Sequence, residues 1–275
     1  MFGVSRNGHS AHWLNVVRNT TAFFNYRRAE RQRKMQIEPN TFICADSIEV
    51  LREIPDGFCN LCLTDPPYGI KYDGVQNSIS DSGRVSTRGA WKKYEEDLWD
   101  NMPPSDTCLS ELRRVSKHQI VWGGNYMKLP LHSLWLIWNK IQRGYMTDGE
   151  IAWTSKDGAI KIFDYCRADA YINFCDGKYH PTQKPVPLFV WCIKLFSKPG
   201  DLVIDPFCGS GTTALACHKT GRQFICIDRE QKYIDIAQQR YADLIAQQDL
   251  FGQSEDGAQN TSEGRGTAYN SAMPK

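Results

Sequence analysis

Residues 202–213 read Leu-Val-Ile-Asp-Pro-Phe-Cys-Gly-Ser-Gly-Thr-Thr, and residues 61–68 read Leu-Cys-Leu-Thr-Asp-Pro-Pro-Tyr. Each stretch opens with an apolar run and continues with an aspartate and a proline, which predicts a buried strand that ends in a loop. Open α/β sheets bind ligands in the crevice beyond the carboxyl ends of their strands. The two stretches therefore predict one pocket for a cofactor beside the glycines and another for a flat, amino-bearing base beside the tyrosine.

Strand and helix patterns alternate outward from both stretches. The glycine-rich stretch leads into a helix over 212–219, a strand over 223–227 and an amphipathic helix over 230–248. A strand over 41–45 and a short helix over 47–54 precede the other stretch. Strands that alternate with helices predict an α/β fold with a doubly wound, mostly parallel sheet.

A third block, His180-Pro181-Thr182-Gln183-Lys184-Pro185, lies between the two stretches. Together the three blocks resemble the signature of S-adenosylmethionine-dependent amino-methyltransferases that act on adenine N6 or cytosine N4 of DNA. The aspartate-proline-proline-tyrosine block comes first and the glycine-rich block last, which is similar to the β-type order, a circular permutation of the other classes. The resemblance covers about residues 35–251. It implies a Rossmann-like methyltransferase fold and S-adenosyl-L-methionine as the cofactor.

The glycine-rich block supplies most of the candidate cofactor residues. Gly209 and Gly211 let the backbone approach a ligand, and Phe207 packs nearby. Asp205 can face the ammonium group of the methionine part, and Asp228 ends the next strand, where an acid receives ribose hydroxyls. The alternative is an ordinary glycine turn with Asp228 as a helix N-cap.

The resemblance adds three further candidates for the cofactor side. It implies that Asp46 contacts the adenine or ribose and that Thr182 and Lys184 lie near the carboxylate end. Asp46 also precedes Ser47 at the start of a predicted helix, where an aspartate is a good N-cap. Both interpretations of Asp46 stay open at this point.

The catalytic candidates are Asp65, Pro66, Pro67 and Tyr68. An aromatic amine is a poor nucleophile because its lone pair is delocalised into the ring. Hydrogen bonds from the amine to the Asp65 carboxylate and the Pro66 carbonyl would localise that lone pair, and the prolines fix the direction of the carbonyl. Tyr68 offers a ring face to an extruded base. This chemistry uses no metal.

A metal site is also not predicted from the cysteines. Cys59 and Cys62 have CxxC spacing, but no second CxxC or nearby histidine completes a zinc set. Residues three apart on a strand are expected to face opposite sides of the sheet. The cysteines as a group therefore indicate reduced core thiols in an intracellular protein.

Charge and composition divide the chain into three parts. Residues 1–34 hold seven basic residues and one acidic residue, a balance of +6, so the remainder carries −4 of the total of +2. We predict a basic, disordered extension over 1–34, which is a DNA-gripping arm, a targeting segment or an upstream-start artefact. The methyltransferase domain is predicted over 35–251 and a disordered tail over 252–275.

DNA contacts are predicted in two insertions, about 71–101 and 139–179, because a base in duplex DNA must be flipped out to be reached. The candidate basic residues there are Arg84, Arg88, Lys92, Lys93, Lys140, Arg143, Lys156 and Lys161. No apolar run is long enough for a membrane helix. We therefore predict a cytoplasmic, nucleoid-associated enzyme acting on double-stranded DNA. A homodimer and a cognate restriction enzyme stay open as partners.

The leading hypothesis is a DNA adenine N6-methyltransferase, with several alternatives. The same motifs fit a cytosine N4 enzyme, an RNA methyltransferase or a module that binds S-adenosylmethionine and DNA without activity. A protein amide substrate is disfavoured by the motif order and by aspartate, rather than asparagine, at position 65.

Overall fold

The computed structural model describes the backbone of residues 37–70, 102–141, 147–166 and 183–256, with side chains as far as residue 247. The predicted extension at 1–34, the insertion at 71–101, part of the insertion at 139–179 and the candidate Thr182 lie outside the described residues.

The described chain forms eight strands and five α-helices. The strands are β1 (Thr41–Cys44), β2 (Cys59–Thr64), β3 (Ser116–Trp122), β4 (Trp135–Asn139), β5 (Gly149–Thr154), β6 (Lys161–Asp164), β7 (Leu202–Asp205) and β8 (Gln223–Asp228). The helices are α1 (Ser47–Glu53), α2 (Asp106–Val115), α3 (Val186–Phe196), α4 (Thr212–Lys219) and α5 (Gln231–Asp256), with a 3-10 turn at Gly124–Tyr126.

The strands form one sheet in the order β1-β8-β7-β2-β3-β5-β4-β6, in which only β5 runs against the others. β2 and β7 are parallel neighbours, with Leu61 opposite Val203 and Cys62 opposite Ile204. From β2 the chain crosses through α2 to β3 on one side, and from β7 it crosses through α4 to β8 on the other. The carboxyl ends of β2 and β7 therefore flank a topological switch point, which is where such sheets bind ligands.

Helices cover both faces of the sheet, as alternation along the strands requires. Leu61 and Leu63 point into a core layer with α3, α4 and α5. Cys62 packs in the other layer, beneath α1 and α2. Both layers are apolar along these strands, as parallel sheets covered on both faces demand, except for the buried Thr64 and Asp205 at the strand ends. The predicted α/β fold with a doubly wound, mostly parallel sheet is confirmed.

Cys59 and Cys62 lie in the same core layer. This shared packing does not fix the direction of either side chain, so the expectation that they face opposite sides of the sheet stays a prediction. Both thiols are buried and free, and burial raises the pKa of Cys59 to about 12. A thiol held protonated in this way is a core side chain and a poor nucleophile.

Two segments differ from their predicted extents. β5 and β6 lie inside residues 139–179, so part of that predicted insertion belongs to the sheet itself. α5 continues to Asp256, past the predicted helix end at 248 and into residues assigned to the tail. Its one interior glycine at this end, Gly252, costs only about 1 kcal/mol in a helix, so it does not stop propagation. None of the helices in the described segments combines the length and apolar character needed to cross a lipid bilayer.

Gly211 is required by helix packing. It precedes α4 with φ of 81°, and a Cβ built on it would lie 2.6 Å from the Cβ of Ala237 on α5. We expect Gly211→Ala to lower the free energy of unfolding by roughly 2–4 kcal/mol, because it adds left-handed strain to a clash between helices. Urea denaturation measures the loss.

Gly200→Ala is the matched control, since Gly200 has φ of 84° and nothing within 4 Å of the added methyl group. It should lose only the strain contribution, about 1–2 kcal/mol. Equal losses in the two variants would show that Gly211 is not a packing position.

Candidate active site

The predicted catalytic block begins directly after β2, at the switch point. The carboxylate of Asp65 has both oxygens engaged. Tyr68 donates its hydroxyl to Oδ1 at 2.5 Å, and Lys184 donates its ammonium to Oδ2 at 2.6 Å. Lys184 also lies 3.2 Å from the Tyr68 oxygen. The structure thus places Lys184, a candidate for the cofactor's carboxylate end, on the carboxylate of the catalytic candidate Asp65.

The Tyr68 ring is fixed by the turn that follows β3. A Cβ built on Gly123 would lie 2.1 Å from Cε1 of Tyr68 and 2.5 Å from both Cδ1 and Cζ, which places that point over the ring face. Tyr126 stacks on Tyr68, with ring centroids 5.2 Å apart and planes inclined by 18°. Tyr126 is 48% exposed. Gly123 and Tyr126 were not predicted as site residues, although their position at the end of the strand beside β2 was an available signal.

The ion pair of Lys140 with Glu150 is linked to Asp65 through Lys184, and neither residue was predicted as part of this site. Lys184 Nζ lies 2.9 Å from Glu150 Oε2, and Lys140 Nζ lies 2.6 Å from Glu150 Oε1. Burial would raise the pKa of Glu150, but the two lysines lower it to about 2. Lys140 is buried in this pairing, so its predicted role as a DNA contact is wrong.

Asp205 ends β7 and is enclosed by three donors. Its Oδ1 accepts hydrogen bonds from the Thr64 hydroxyl at 2.7 Å and from the Phe207 amide at 3.1 Å, and its Oδ2 accepts from the Thr213 hydroxyl. Burial raises the pKa of Asp205 to about 7, and these hydrogen bonds only partly oppose the rise. Thr64 thereby ties the end of β2 to the end of β7.

The glycine-rich turn is held by side chains from two other elements. The Gly209 amide donates to Asp228 Oδ2 at 2.9 Å, and the Glu230 amide donates to Oδ1 at 3.0 Å. Arg240, fully buried on α5, donates to the Ser210 carbonyl at 2.5 Å. Arg240 was not predicted, because its distance of thirty residues along the chain gives no signal of contact.

Asp46 caps α1, accepting hydrogen bonds from the amides of Ile48 at 2.8 Å and Glu49 at 3.4 Å. The N-cap interpretation of Asp46 therefore describes its contacts in this structure. Ser47 donates to the Pro206 carbonyl, which brings the start of α1 against the glycine-rich segment. Phe207 is half-buried and packs on the core layer beneath α1 and α2.

The acidic groups near the site do not form a metal centre. Within the described ranges, no group of three or more His, Cys, Asp or Glu is arranged to hold a metal ion.

Comparison with known proteins defines the class of the chain. The family model described as DNA methylase, which covers N6 and N4 enzymes, matches residues 76–239, more than half of the chain. The protein belongs to this family and is an S-adenosyl-L-methionine-dependent amino-methyltransferase. The matched range includes the glycine-rich block and starts after Tyr68.

Two individual relatives agree with this class, and one solved structure is reported for its overlap with the chain. The type II methyltransferase M.HinfI of Haemophilus influenzae is 29% identical over 250 residues, covering 74% of this chain and 69% of that protein. The DNA adenine methyltransferase YhdJ of Escherichia coli strain K12 is 28% identical over 245 residues, covering 74% and 83%. The solved structure of the cytosine-N4-specific PvuII DNA methyltransferase overlaps with a TM-score of 0.47 at 17% identity, covering 75% and 91%.

The residues present fit S-adenosyl-L-methionine. A Cβ built on Gly209 meets nothing within 4 Å, so the turn leaves space beside its backbone at the switch point. Asp205 and Asp228 end the two neighbouring strands beside that turn. A zwitterionic, hydroxyl-bearing ligand needs this combination of open backbone and acceptors.

The raised pKa of Asp205 predicts that the free energy of unfolding depends on pH. Its pKa rises from about 4 when unfolded to about 7 when folded, so the folded state binds the proton more tightly. The stabilisation from this protonation is complete below the unfolded pKa and is lost as the pH rises to about 7. We expect Asp205→Asn to gain stability relative to wild type between pH 4.5 and 7.5, by on the order of a few kcal/mol, and to level off above.

Chemical denaturation across this pH range measures the difference between Asp205→Asn and wild type. A difference that stays constant with pH would contradict the raised pKa.

The contact between Gly123 and Tyr68 can be tested by adding one methyl group. We expect Gly123→Ala to displace the Tyr68 ring and to reduce methyl transfer, with a stability loss of roughly 2–4 kcal/mol from strain and overpacking. Gly57→Ala is the control, because Gly57 has φ of 64° against 66° at Gly123 and open space around it. Urea denaturation and turnover with DNA measure both effects. Full activity in Gly123→Ala would remove the Tyr68 ring position from the catalytic requirements.

Proposed function

We propose that the protein transfers a methyl group from S-adenosyl-L-methionine to the N6 amino group of an adenine flipped out of DNA. The observation that carries the proposal is the position of Asp65 and Tyr68 at the carboxyl end of β2, beside the glycine-rich turn after β7. Similarity to the DNA adenine methyltransferase YhdJ supports adenine as the target base.

The chemistry assigns a task to each part of the catalytic block. The Asp65 carboxylate and the Pro66 carbonyl accept hydrogen bonds from the target amino group, which localises the lone pair on nitrogen. Pro67 keeps the segment rigid and has no amide proton to compete. The Tyr68 ring orients the base by stacking. Positioning of the nitrogen against the methyl donor supplies most of the acceleration.

The cofactor site is proposed around the glycine-rich turn. When bound, S-adenosyl-L-methionine supplies a methyl group on a positively charged sulfonium. Gly209 gives the ligand room, Asp228 is the acceptor for its ribose hydroxyls, and Asp205 lies where it meets the ammonium group. The other proposed members of this site are Phe207, Gly211, Asp46, Thr182 and Lys184. Gly211 acts through helix packing, and Lys184 acts through its contact with Asp65.

The substrate is proposed to be double-stranded DNA, contacted by residues 71–101 and by the parts of 139–179 outside the sheet. Flipping costs a few kcal/mol, which phosphate contacts offset. A cytoplasmic, nucleoid-associated location follows from that substrate and stays a prediction, as do a homodimer and a cognate restriction enzyme.

Cytosine N4 is the second candidate target. Its amino group has the same geometry and the same delocalised lone pair as that of adenine, and the family includes both activities. RNA and an inactive binding module remain distinguishable outcomes of the same assay.

The test combines purified protein, labelled S-adenosyl-L-methionine and mixed DNA, followed by analysis of the nucleosides. We expect N6-methyladenine from the wild type and at least about a 100-fold loss in Asp65→Ala, because an essential acceptor is removed. Asp235→Ala is the control, since Asp235 is an exposed carboxylate on α5 bonded to Gln231. Sequencing of methylated DNA then gives the recognition site.

Other products would change the assignment. N4-methylcytosine alone would move the proposal to the cytosine enzymes, and a preference for RNA would replace the substrate. Binding of S-adenosyl-L-methionine without any methyl transfer would indicate the inactive module.

A further inference from the structure

Four buried or half-buried charged side chains lie in a row that ends at Asp65. This charge row consists of Lys140 after β4, Glu150 on β5, Lys184 before α3 and Asp65 after β2. The successive N–O distances are 2.6, 2.9 and 2.6 Å. The side chains of Lys140 and Lys184 are 7% and 4% exposed.

The charge row is electrically balanced, with two cations and two anions. Burial of an unpaired ammonium or carboxylate is costly, so each member needs an opposite neighbour. Among the four residues of the row, Lys184 is the one that forms ion pairs with two carboxylates, because Asp65 pairs with Lys184 and Lys140 pairs with Glu150. Lys184 can therefore stay paired if one of its carboxylates takes up another donor.

The pairing of Lys184 with two carboxylates affects how easily the target amino group can bind to Asp65. The target amino group is a neutral donor, and hydrogen bonds from a charged donor are roughly twice as strong. A neutral amine competes poorly with a buried lysine that has no other partner. Glu150 provides that other partner, already 2.9 Å from the same ammonium.

We propose that Glu150 is a positioning residue for methyl transfer, which takes over the Lys184 ammonium when the target amino group reaches Asp65. The inference rests on the proposed function and extends it to a residue outside the catalytic block. No covalent bond changes in this exchange, and Lys184 keeps its proton throughout. Only the carboxylate that holds the ammonium changes.

The pKa of Lys184 connects the role of Glu150 to the pH dependence of methyl transfer. The groups that face its ammonium are Asp65 and the Tyr68 hydroxyl after β2, and Glu150 on β5, which is itself paired with Lys140. Burial would lower the pKa of Lys184, but Asp65, Glu150 and Tyr68 raise it well above its usual value. Loss of the Glu150 charge removes one of these contributions, so Lys184 should lose its proton at a lower pH. A neutral Lys184 no longer competes for Asp65.

The decisive experiment compares single-turnover methyl transfer to DNA by wild type and Glu150→Gln as a function of pH. At neutral pH we expect the variant to be about 10- to 100-fold slower, the range typical of residues that orient a functional ligand. Its rate should recover as the pH rises, whereas that of wild type should not. The Kd for S-adenosyl-L-methionine, measured by calorimetry, should stay unchanged.

Glu111→Gln is the matched control. It also removes a carboxylate from an ion pair, with Arg114 at 2.7 Å, but on α2 and away from the charge row. We expect this variant to keep the wild-type pH profile whatever its effect on stability.

Lys140→Gln provides a test of opposite sign. Without Lys140, Glu150 attracts Lys184 more strongly and draws it from Asp65, so the rate at neutral pH should exceed that of wild type. If Glu150→Gln does not fold, a faster Lys140→Gln variant supports the inference, and an unchanged or slower one overturns it. Similar losses in Glu150→Gln and Lys140→Gln, or a loss in Glu150→Gln that is independent of pH, would overturn the inference.

The outcomes also separate this inference from the proposed function. A wild-type protein that methylates no DNA overturns both. A wild-type protein that methylates DNA, together with a Glu150→Gln variant of wild-type rate and pH profile, overturns only the role of Glu150.

Discussion

The parallel pairing of β2 with β7 is the constraint on which the site depends. The two strands are far apart in the chain, yet their pairing brings Asp65 and the glycine-rich turn to one edge of the sheet. The hydrogen bond from Thr64 to Asp205 links the two strand ends within the protein interior. The chain leaves these strands in opposite directions, so that, among the described helices, α2 and α4 cross on either side of the space beyond them.

The charged neighbours of Asp65 determine whether its carboxylate can accept a hydrogen bond at this edge of the sheet. The pKa of the Asp65 carboxylate, the proposed acceptor for the target amine, is raised, because burial outweighs Lys184, which lowers it, and Glu150 raises it further. A lysine in contact with the carboxylate favours the ionised, accepting form that the target amine requires. The same lysine occupies one of the carboxylate oxygens, so the protein needs a second anion for it. Glu150 meets this need from a strand whose sequence carries no catalytic motif.

The glycines of the turn illustrate how similar residues serve different purposes. Gly209 opens onto free space and is bonded through its amide to Asp228, which suits a ligand-binding position. Gly211 lies against Ala237 and allows α4 and α5 to approach each other. Both have positive φ, so the sequence correctly indicated a special backbone at each position. The neighbours that distinguish them come from α5, which the motif does not contain.

Local sequence predicted the alternation of strands and helices and the apolar runs of β2 and β7, and it offered helix capping as one of two roles for Asp46. These features depend on propensity, periodicity and residues within a few positions of one another. The end of α5 was predicted too early, because helix propagation past a single glycine depends on small energy differences. Short strands over 150–154 and 160–163 were indicated by the local pattern, but their place in the main sheet was not, because a strand pattern does not identify the neighbouring strand.

The sequence by itself determined the class of the protein, because three motifs in a fixed order encode the strand ends, the glycine turn and the base-facing block. Only the tertiary structure decided that Lys184 contacts Asp65, that Glu150 and Lys140 complete the charge row, and that Tyr126 and Gly123 hold Tyr68. These contacts join residues from different strands, and their partners are selected by sheet order and burial. A buried charge requires a partner in space, and neighbours in the chain do not reveal which residue supplies it.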